Sequence, residues 1–219
     1  MTTLRLAHRG DHRHLPENSV AALVAGARAP MGHGVEFDVR VAADGVPVVI
    51  HDATLDRVQG VALSVAETSA AELAKHGVPS LADVLAALPA SAFLDVELKV
   101  VPGPEVARVL TAARGPAPAA AVVSSFHPEA LEVIAAEAPG WARWANVLWV
   151  DEAIVGMARD LGCRGIAAAH GAIDRRTAAL VGAAGLDLAA WTITRRPTFE
   201  RLARLGVGAV CVEGSLLDR

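Results

Sequence analysis

Ionisable residues sit at the ends of short apolar runs in the first half of this sequence. His8 and Arg9 follow LRLA, Glu36 and Asp38 alternate through VEFDV, His51 closes VPVVI, and Glu97 and Lys99 end FLDVELK. Glu36 and Asp38 are two apart, so on a strand both side chains leave the same face. Glu97 and Lys99 repeat that pattern, with Asp95 in phase. Carboxylates on such a face are costly to bury without partners, and a divalent cation at the strand ends removes the cost. Three carboxylates, Glu36, Asp38 and Glu97, with no cysteine near them, favour an oxygen-liking ion, Mg²⁺ or Ca²⁺, over zinc. The plainer reading is a salt-bridge layer of Glu36, Glu97, Lys99 and Arg9. The cation is preferred because the carboxylates outnumber their local positive partners.

A single histidine after an apolar run is ordinarily structural. Two, His8 and His51, at neighbouring strand ends beside carboxylates suit a general acid–base pair. Arg9 and Lys99 supply positive charge for an anionic substrate, and the arginine fork matches phosphate oxygens. Together these residues point to phosphoryl transfer or hydrolysis assisted by a metal. The remaining histidines, His12, His14, His33, His76, His127 and His170, read as surface or loop residues, with His127 near enough to a strand end to reach the site.

Something must hold these residues at one mouth. Apolar runs at Leu4–His8, 35–39, Phe93–Leu98, 120–124, 143–147, 165–168, Asp187–Ile193 and Ala209–Val212 read as eight strands. Helical periodicity separates them at about 19–28, 80–88, 104–114, 128–138, 151–161, 174–184 and 197–205. Asn18 or Ser19 can cap the first helix, Ser80 caps another, and Pro104 opens the next. Asp44-Gly45 marks a hairpin between 39–41 and 47–50. Residues 52–79 read as a short loop insertion with one helix near 70–75. Strand–helix alternation predicts a parallel sheet with right-handed crossovers. Eight units predict a closed (β/α)8 TIM barrel with a short insertion after the second strand, built as one domain over residues 1–219. Ionisable residues at strand C-termini fit the face where such barrels carry their sites.

The bulk properties narrow the partners. The chain has 219 residues, is 53% hydrophobic and carries a net charge of −4, which suits a globular protein and argues against nucleic acid and anionic membranes as partners. No G-x-G-x-x-G or P-loop spacing follows a strand. Cys163 and Cys211 lie in or beside apolar runs and read as buried free thiols. No run has the length of a membrane span or signal segment, so the expectation is a cytoplasmic protein without stable membrane insertion.

The order His8-Arg9-Gly10, Pro16-Glu17-Asn18, Glu36-x-Asp38, His51-Asp52 and Glu97-x-Lys99 resembles the glycerophosphodiester phosphodiesterase family. Leu55-Asp56-Arg57, Pro79-Ser80-Leu81, Ser125-Phe126 and Trp191-Thr192 extend the match over nearly the whole chain. The resemblance implies hydrolysis of a small glycerophosphodiester to glycerol 3-phosphate and an alcohol, with a bound divalent cation. By position it makes His8 and His51 the acid and base, with His51 favoured as the acid. It makes Glu36, Asp38 and Glu97 the metal ligands, and Arg9 and Lys99 the phosphate-binding residues. Glu17 and Asn18 shape the first loop of the substrate site, and Trp191 walls its glycerol or alcohol side. The chain departs from the family at Thr194 and at Val212-Glu213-Gly214-Ser215, where the family often has Thr-Asp followed by Pro. The residues after the last strand leave room for only a truncated final helix, so a partner subunit in a homo-oligomer could cover that edge. Two other functions fit the residues: a phospholipase D-type barrel lipase that forms a cyclic phosphate, and a non-catalytic phosphodiester-binding barrel.

Overall fold

A computed structural model describes residues 2–218. Nine strands form one sheet: β1 Leu4–His8, β2 Gly34–Val41, β3 Pro47–Val49, β4 Phe93–Leu98, β5 Ala121–Ser125, β6 Ala142–Val147, β7 Gly165–Ala169, β8 Asp187–Ile193 and β9 Ala209–Val212. Eight are parallel in the order β1-β9-β8-β7-β6-β5-β4-β2, and a further β1–β2 pairing closes the ring. The fold is a (β/α)8 TIM barrel. Strand β3 lies outside the ring, antiparallel to β2, as the Asp44-Gly45 turn predicts.

The barrel follows from period-two alternation. Val35, Phe37, Val39, Leu94, Val96 and Leu98 point outward and are buried with the helices in the main core. The alternate residues point inward. At the lower end these are Leu6, Val122, Trp144, Ala167, Ala189 and Ala209, with Phe93 packed among them. Gly34 makes room there, because a Cβ at that position would stand 1.9 Å from the Phe93 carbonyl oxygen.

Helices α1 Val20–Ala27, α4 Leu81–Ala87, α5 Glu105–Arg114, α6 Pro128–Glu137, α7 Glu152–Asp160, α8 Arg175–Ala183 and α9 Arg196–Arg204 cover the barrel. Their starts are written locally. Ser19, Ser80, Asp151 and Asp174 each accept a backbone N–H of the first turn, and Pro128 opens α6. Of the two candidate caps of α1, Ser19 takes the role.

The structure differs from expectation in the insertion, and after the last strand it has the expected truncated element. Residues 52–79 hold more than one helix. α2 Asp56–Gln59 and a 3₁₀ turn at Val65–Glu67 precede α3 Ala70–Lys75. Leu55, Val65, Leu73 and Val78 pack with Ala42, Val48 and Ile50 of the hairpin into a small core of their own. That core is why the insertion is ordered structure rather than loop. After β9, the 3₁₀ turn Gly214–Leu217 stands where a final helix would. It buries Leu216 and Leu217 in the main core and is tied by Met31 N–H to Leu217 O and by Arg5 to Leu216 O.

Candidate active site

The C-terminal ends of the strands open into a pocket of about 170 Å³ whose lining includes His8, Arg9, Glu36, His51, Glu97, Lys99 and Trp191. Register explains the convergence. His8 lies beside Glu36, Glu36 beside Asp95, and Asp38 beside Glu97. All therefore leave the same inner face on two adjacent levels, His8, Glu36 and Asp95 below and Asp38 with Glu97 one pleat step above.

Three carboxylates gather at this pocket, Glu36 and Glu97 in its lining and Asp38 buried next to them. One oxygen from each of Glu36, Asp38 and Glu97 lies within 4.8 Å of the others. Asp38 is 1% exposed. Burial first, and then the charges of Asp38, Glu97 and Asp95, push Glu36 well above the usual carboxylate range. Burial and Asp38 raise Glu97 in the same way. Asp95 lies one step deeper and accepts a 2.6 Å hydrogen bond from Ser124 Oγ. Burial nevertheless pushes it up to about 7, with Glu97 and Asp38 adding to the effect. Glu36 Oε1 is buried without a hydrogen-bond partner. Mutual repulsion and an orphaned oxygen are what a divalent cation among these three residues would relieve, so the donor set fits a hard cation.

Two cations face this cluster. Lys99 Nζ is 2.6 Å from Glu97 Oε1 and 3.4 Å from Asp38 Oδ1. Burial works against the Lys99 charge, but Asp38 and Glu97 outweigh it and raise its pKa. Arg9 donates to Glu17 Oε1 at 2.8 Å, and its Nε lies 3.2 Å from Asp38 Oδ2 without hydrogen-bond geometry. Arg9 adopts φ 55°, a left-handed conformation that side-chain-bearing residues seldom take. Its backbone N–H donates both to Glu36 O at 2.9 Å and to Glu36 Oε2 at 3.1 Å. Asn18, at φ 59°, does the equivalent for Asp38: its Nδ2 donates to Asp38 Oδ2 at 2.8 Å and its Oδ1 accepts the Asp38 N–H. The carboxylate cluster is therefore present, but of the expected salt-bridge layer only the Lys99–Glu97 pair forms, because Arg9 turns to Glu17 and Asp38 and neither cation's side chain pairs with Glu36.

Each histidine has a carboxylate behind it. Glu213 Oε1 is 2.6 Å from His8 Nδ1, and Asp52 Oδ1 is 2.6 Å from His51 Nδ1. A carboxylate accepts, so each Nδ1 carries the hydrogen and each Nε2 is left to exchange protons. The His8 hydrogen bond holds Glu213 below its ordinary value. Arg57 donates to Asp52 Oδ2 and to both oxygens of Glu17. Its hydrogen bond, followed by that of His51, brings Asp52 down to about 2. Burial opposes the same change at Glu17, but Arg57 and Arg9 bring it down to about 2 as well. Glu17 and Asn18 thus touch Arg9, Arg57 and Asp38 rather than line the pocket.

Trp191 lines the pocket, donates Nε1–H to Ala167 O, and meets Phe126 edge-on at 5.4 Å. Thr194, just past β8, is not among the lining residues. His127 starts α6 and gives its backbone N–H to Ser125 Oγ, with no side-chain role in the pocket. Reading the sequence by elements missed Glu213, Asp52, Arg57 and Phe126 as parts of the site. Asp52 and Arg57 stand inside the motifs His51-Asp52 and Leu55-Asp56-Arg57, which was a signal. Glu213 gave none beyond its place at the end of the last strand.

Fold and site define a parallel (β/α)8 barrel whose mouth combines paired histidines, clustered carboxylates and two cations. The chain belongs to the glycerophosphoryl diester phosphodiesterase family, whose model matches residues 8–214. It is similar to the glycerophosphodiester phosphodiesterase of Caldanaerobacter subterraneus subsp. tengcongensis, 49% identical over 57 residues, 26% of this chain and 23% of the relative. It is also similar to human glycerophosphodiester phosphodiesterase 1, 44% identical over 52 residues, 24% of this chain and 15% of the relative. These matches span less than a quarter of either relative. A solved Oleispira antarctica phosphodiesterase in complex with sn-glycerol-3-phosphate superposes with a TM-score of 0.85 at 26% identity, covering 95% of this chain and 92% of that one.

Proposed function

We propose that this mouth hydrolyses glycerophosphodiesters to glycerol 3-phosphate and an alcohol, with a divalent cation, Mg²⁺ or Ca²⁺, as cofactor. The supporting observation is one pocket lined by two carboxylate-backed histidines together with Glu36 and Glu97, whose oxygens lie within 4.8 Å of each other and of one from Asp38. The product held by the Oleispira relative is the one this reaction would release.

Glu36, Asp38 and Glu97 would hold the cation, which when bound supplies Lewis acidity toward a phosphoryl oxygen. Arg9 and Lys99 orient the phosphate and balance its charge. Glu17 and Asn18 act through Arg9 and Asp38, holding them in place. Trp191 walls one side of the diester. In an in-line displacement the attacking oxygen and the leaving alkoxide lie on opposite sides of phosphorus, so one imidazole cannot serve both. His8 Nε2 takes the proton from the nucleophile, and His51 Nε2 gives one to the departing alcohol. Glu213 and Asp52 fix each ring and stabilise its charged form.

Leaving-group dependence tests this division. His51→Ala should cost about 10²–10⁴ in rate on glycerophosphocholine and much less on a p-nitrophenyl diester, whose alcohol leaves without protonation. His8→Ala should cost both alike. Phosphorus NMR on the wild-type reaction, run with each cation after chelation, should show a monoester. A cyclic phosphate would select the lipase chemistry, and binding without turnover would select the non-catalytic barrel. If neither substitution lowers the rate by about tenfold on any ester, the two-histidine scheme is wrong.

A further inference from the structure

Arg57 is not part of the pocket lining, yet all three of its side-chain nitrogens are committed to groups just behind it. Its Nε donates to Asp52 Oδ2 at 2.6 Å, and Nη1 and Nη2 donate to the two oxygens of Glu17 at 3.1 and 2.6 Å. Each of these carboxylates also holds a pocket residue. Asp52 Oδ1 receives His51 Nδ1–H at 2.6 Å, and Glu17 Oε1 receives Arg9 Nη1–H at 2.8 Å. One guanidinium thus joins His51, just past β3, to Arg9, just past β1. Stability is a poor reason for the arrangement. The Arg57 side chain is 50% exposed, and ion pairs so exposed add little to folding. His51 and Asp52 are themselves 31% and 25% exposed, so the ring depends on hydrogen bonds more than on packing. The His51 backbone is held separately, by Arg40 Nε on its carbonyl at 2.8 Å. Arg57 has a firm base of its own. Its neighbour Leu55 is fully buried in the small core of the insertion, Leu55 N–H reaches Leu63 O, and Val65 N–H reaches Ala53 O.

We infer that Arg57 is a positioning residue that couples the His51 ring to the Arg9 guanidinium, with the small core of the insertion as its anchor. The inference rests on the phosphodiesterase reading, in which His51 protonates the leaving alcohol and Arg9 binds phosphate. Through Asp52, Arg57 fixes the direction of His51 Nε2. Through Glu17, it keeps Arg9 in the lining, where Arg9 Nε is buried without a hydrogen-bond partner and is left for an anion. Phosphate binding and leaving-group protonation are then aligned by one side chain that touches neither. Only an arginine fits this place. A lysine carries the charge but lacks the planar fork that reaches two carboxylates at once. His8 is the internal control, since its carboxylate, Glu213, comes from the end of β9 and has no bond to Arg57.

The test measures kcat/KM on glycerophosphocholine and on a p-nitrophenyl diester for Arg57→Gln, Arg57→Lys, Glu17→Gln and Asp52→Asn. Arg57→Gln should cost about tenfold to a hundredfold with the choline ester, the usual worth of a group that orients a site residue, and severalfold less with the nitrophenyl ester. The loss common to both esters reports Arg9 and should reappear in Glu17→Gln. The extra loss with choline reports His51 and should reappear in Asp52→Asn. Arg57→Lys should restore no more than one of the two. Glu17→Gln and Asp52→Asn should be non-additive in the otherwise wild-type chain and additive when combined with Arg57→Gln. The melting temperature should barely move. The inference is overturned if Arg57→Gln stays within about twofold of wild type on both esters, if lysine restores full activity, or if the two carboxylate substitutions are additive with Arg57 in place. Failure of the phosphodiesterase reading looks different: the wild type turns over no diester. Imidazole NMR then decides the coupling alone. The His51 Nδ1–H resonance should be lost to solvent exchange in Arg57→Gln while that of His8 persists, and a spectrum unchanged by the substitution sinks it.

Discussion

The floor and the mouth of this barrel are made by the same eight strands and obey opposite rules. Along the inner face of β4 the residues run Phe93, Asp95, Glu97, with Lys99 just beyond. Two steps of the pleat turn an aromatic floor into a charged mouth. At the floor, Phe93 and Trp144 stack with centroids 6.0 Å apart, and small residues on the other strands make room for them. The apolar surface there lowers the free energy of the fold by leaving water, against the cost of Trp144 Nε1, which is buried without a hydrogen-bond partner. At the mouth, buried acids crowd one another, and Glu36, Glu97 and Asp95 are all shifted toward their neutral forms. The floor supplies stability that the mouth gives up, and a cation bound as proposed would restore part of it. A barrel can carry this because its two ends are separated by a layer of packed side chains.

The largest contrast should come from removing charge at the mouth. Asp38→Asn or Glu97→Gln keeps shape but takes away a charged oxygen. Activity should fall by about a hundredfold or more, the worth of several kcal/mol at the transition state, and cation titration should weaken. The melting temperature should hold or rise, since a repulsive partner is gone. A large loss of stability in both variants would mean that the acids anchor the barrel, and the contrast would fail.

Next in size is the floor. Trp144→Ala removes the large inward side chain of β6 and should cost about 3–5 kcal/mol in denaturant unfolding. The kcat/KM per folded molecule should change little, and the leaving-group dependence not at all. A selective change in the pH profile would show that the floor is coupled to the chemistry.

The smallest expected effect is in pH, and it has opposite signs at two places. Asp95 is raised to about 7 in the folded chain, above its unfolded value near 4. Its contribution is therefore fully present below about pH 4 and is lost as pH rises through about 7. Glu17 and Asp52, both near 2, are lowered. Their contribution is present above about pH 4 and is lost as pH falls toward 2. Urea midpoints measured in chelator should then drop as pH rises from about 4 through about 7 for the wild type, and drop less for Asp95→Asn, in which the raised Glu36 and Glu97 remain. Arg57→Gln should leave that drop intact while removing part of the acid-side loss. Identical pH curves for all three proteins would show that neither group is linked to folding.

The sequence by itself determined the strands, their alternation and most of the chemistry. Period two is a local property, so Glu36 and Asp38, or Glu97 and Lys99, must share a face wherever the strand goes. Helix starts were equally local, since Ser80 or Asp174 reaches its own first turn. The insertion was only partly legible, because its small core forms against a hairpin and not within itself. Which face of each strand is the interior was not written in the alternation; closure of β1 onto both β2 and β9 decided it. The same closure set Glu213 behind His8 across 205 positions, and the tertiary fold brought Arg57 to Glu17 across 40. Local periodicity fixes directions relative to a strand, whereas contacts between distant residues exist only once the ring has closed.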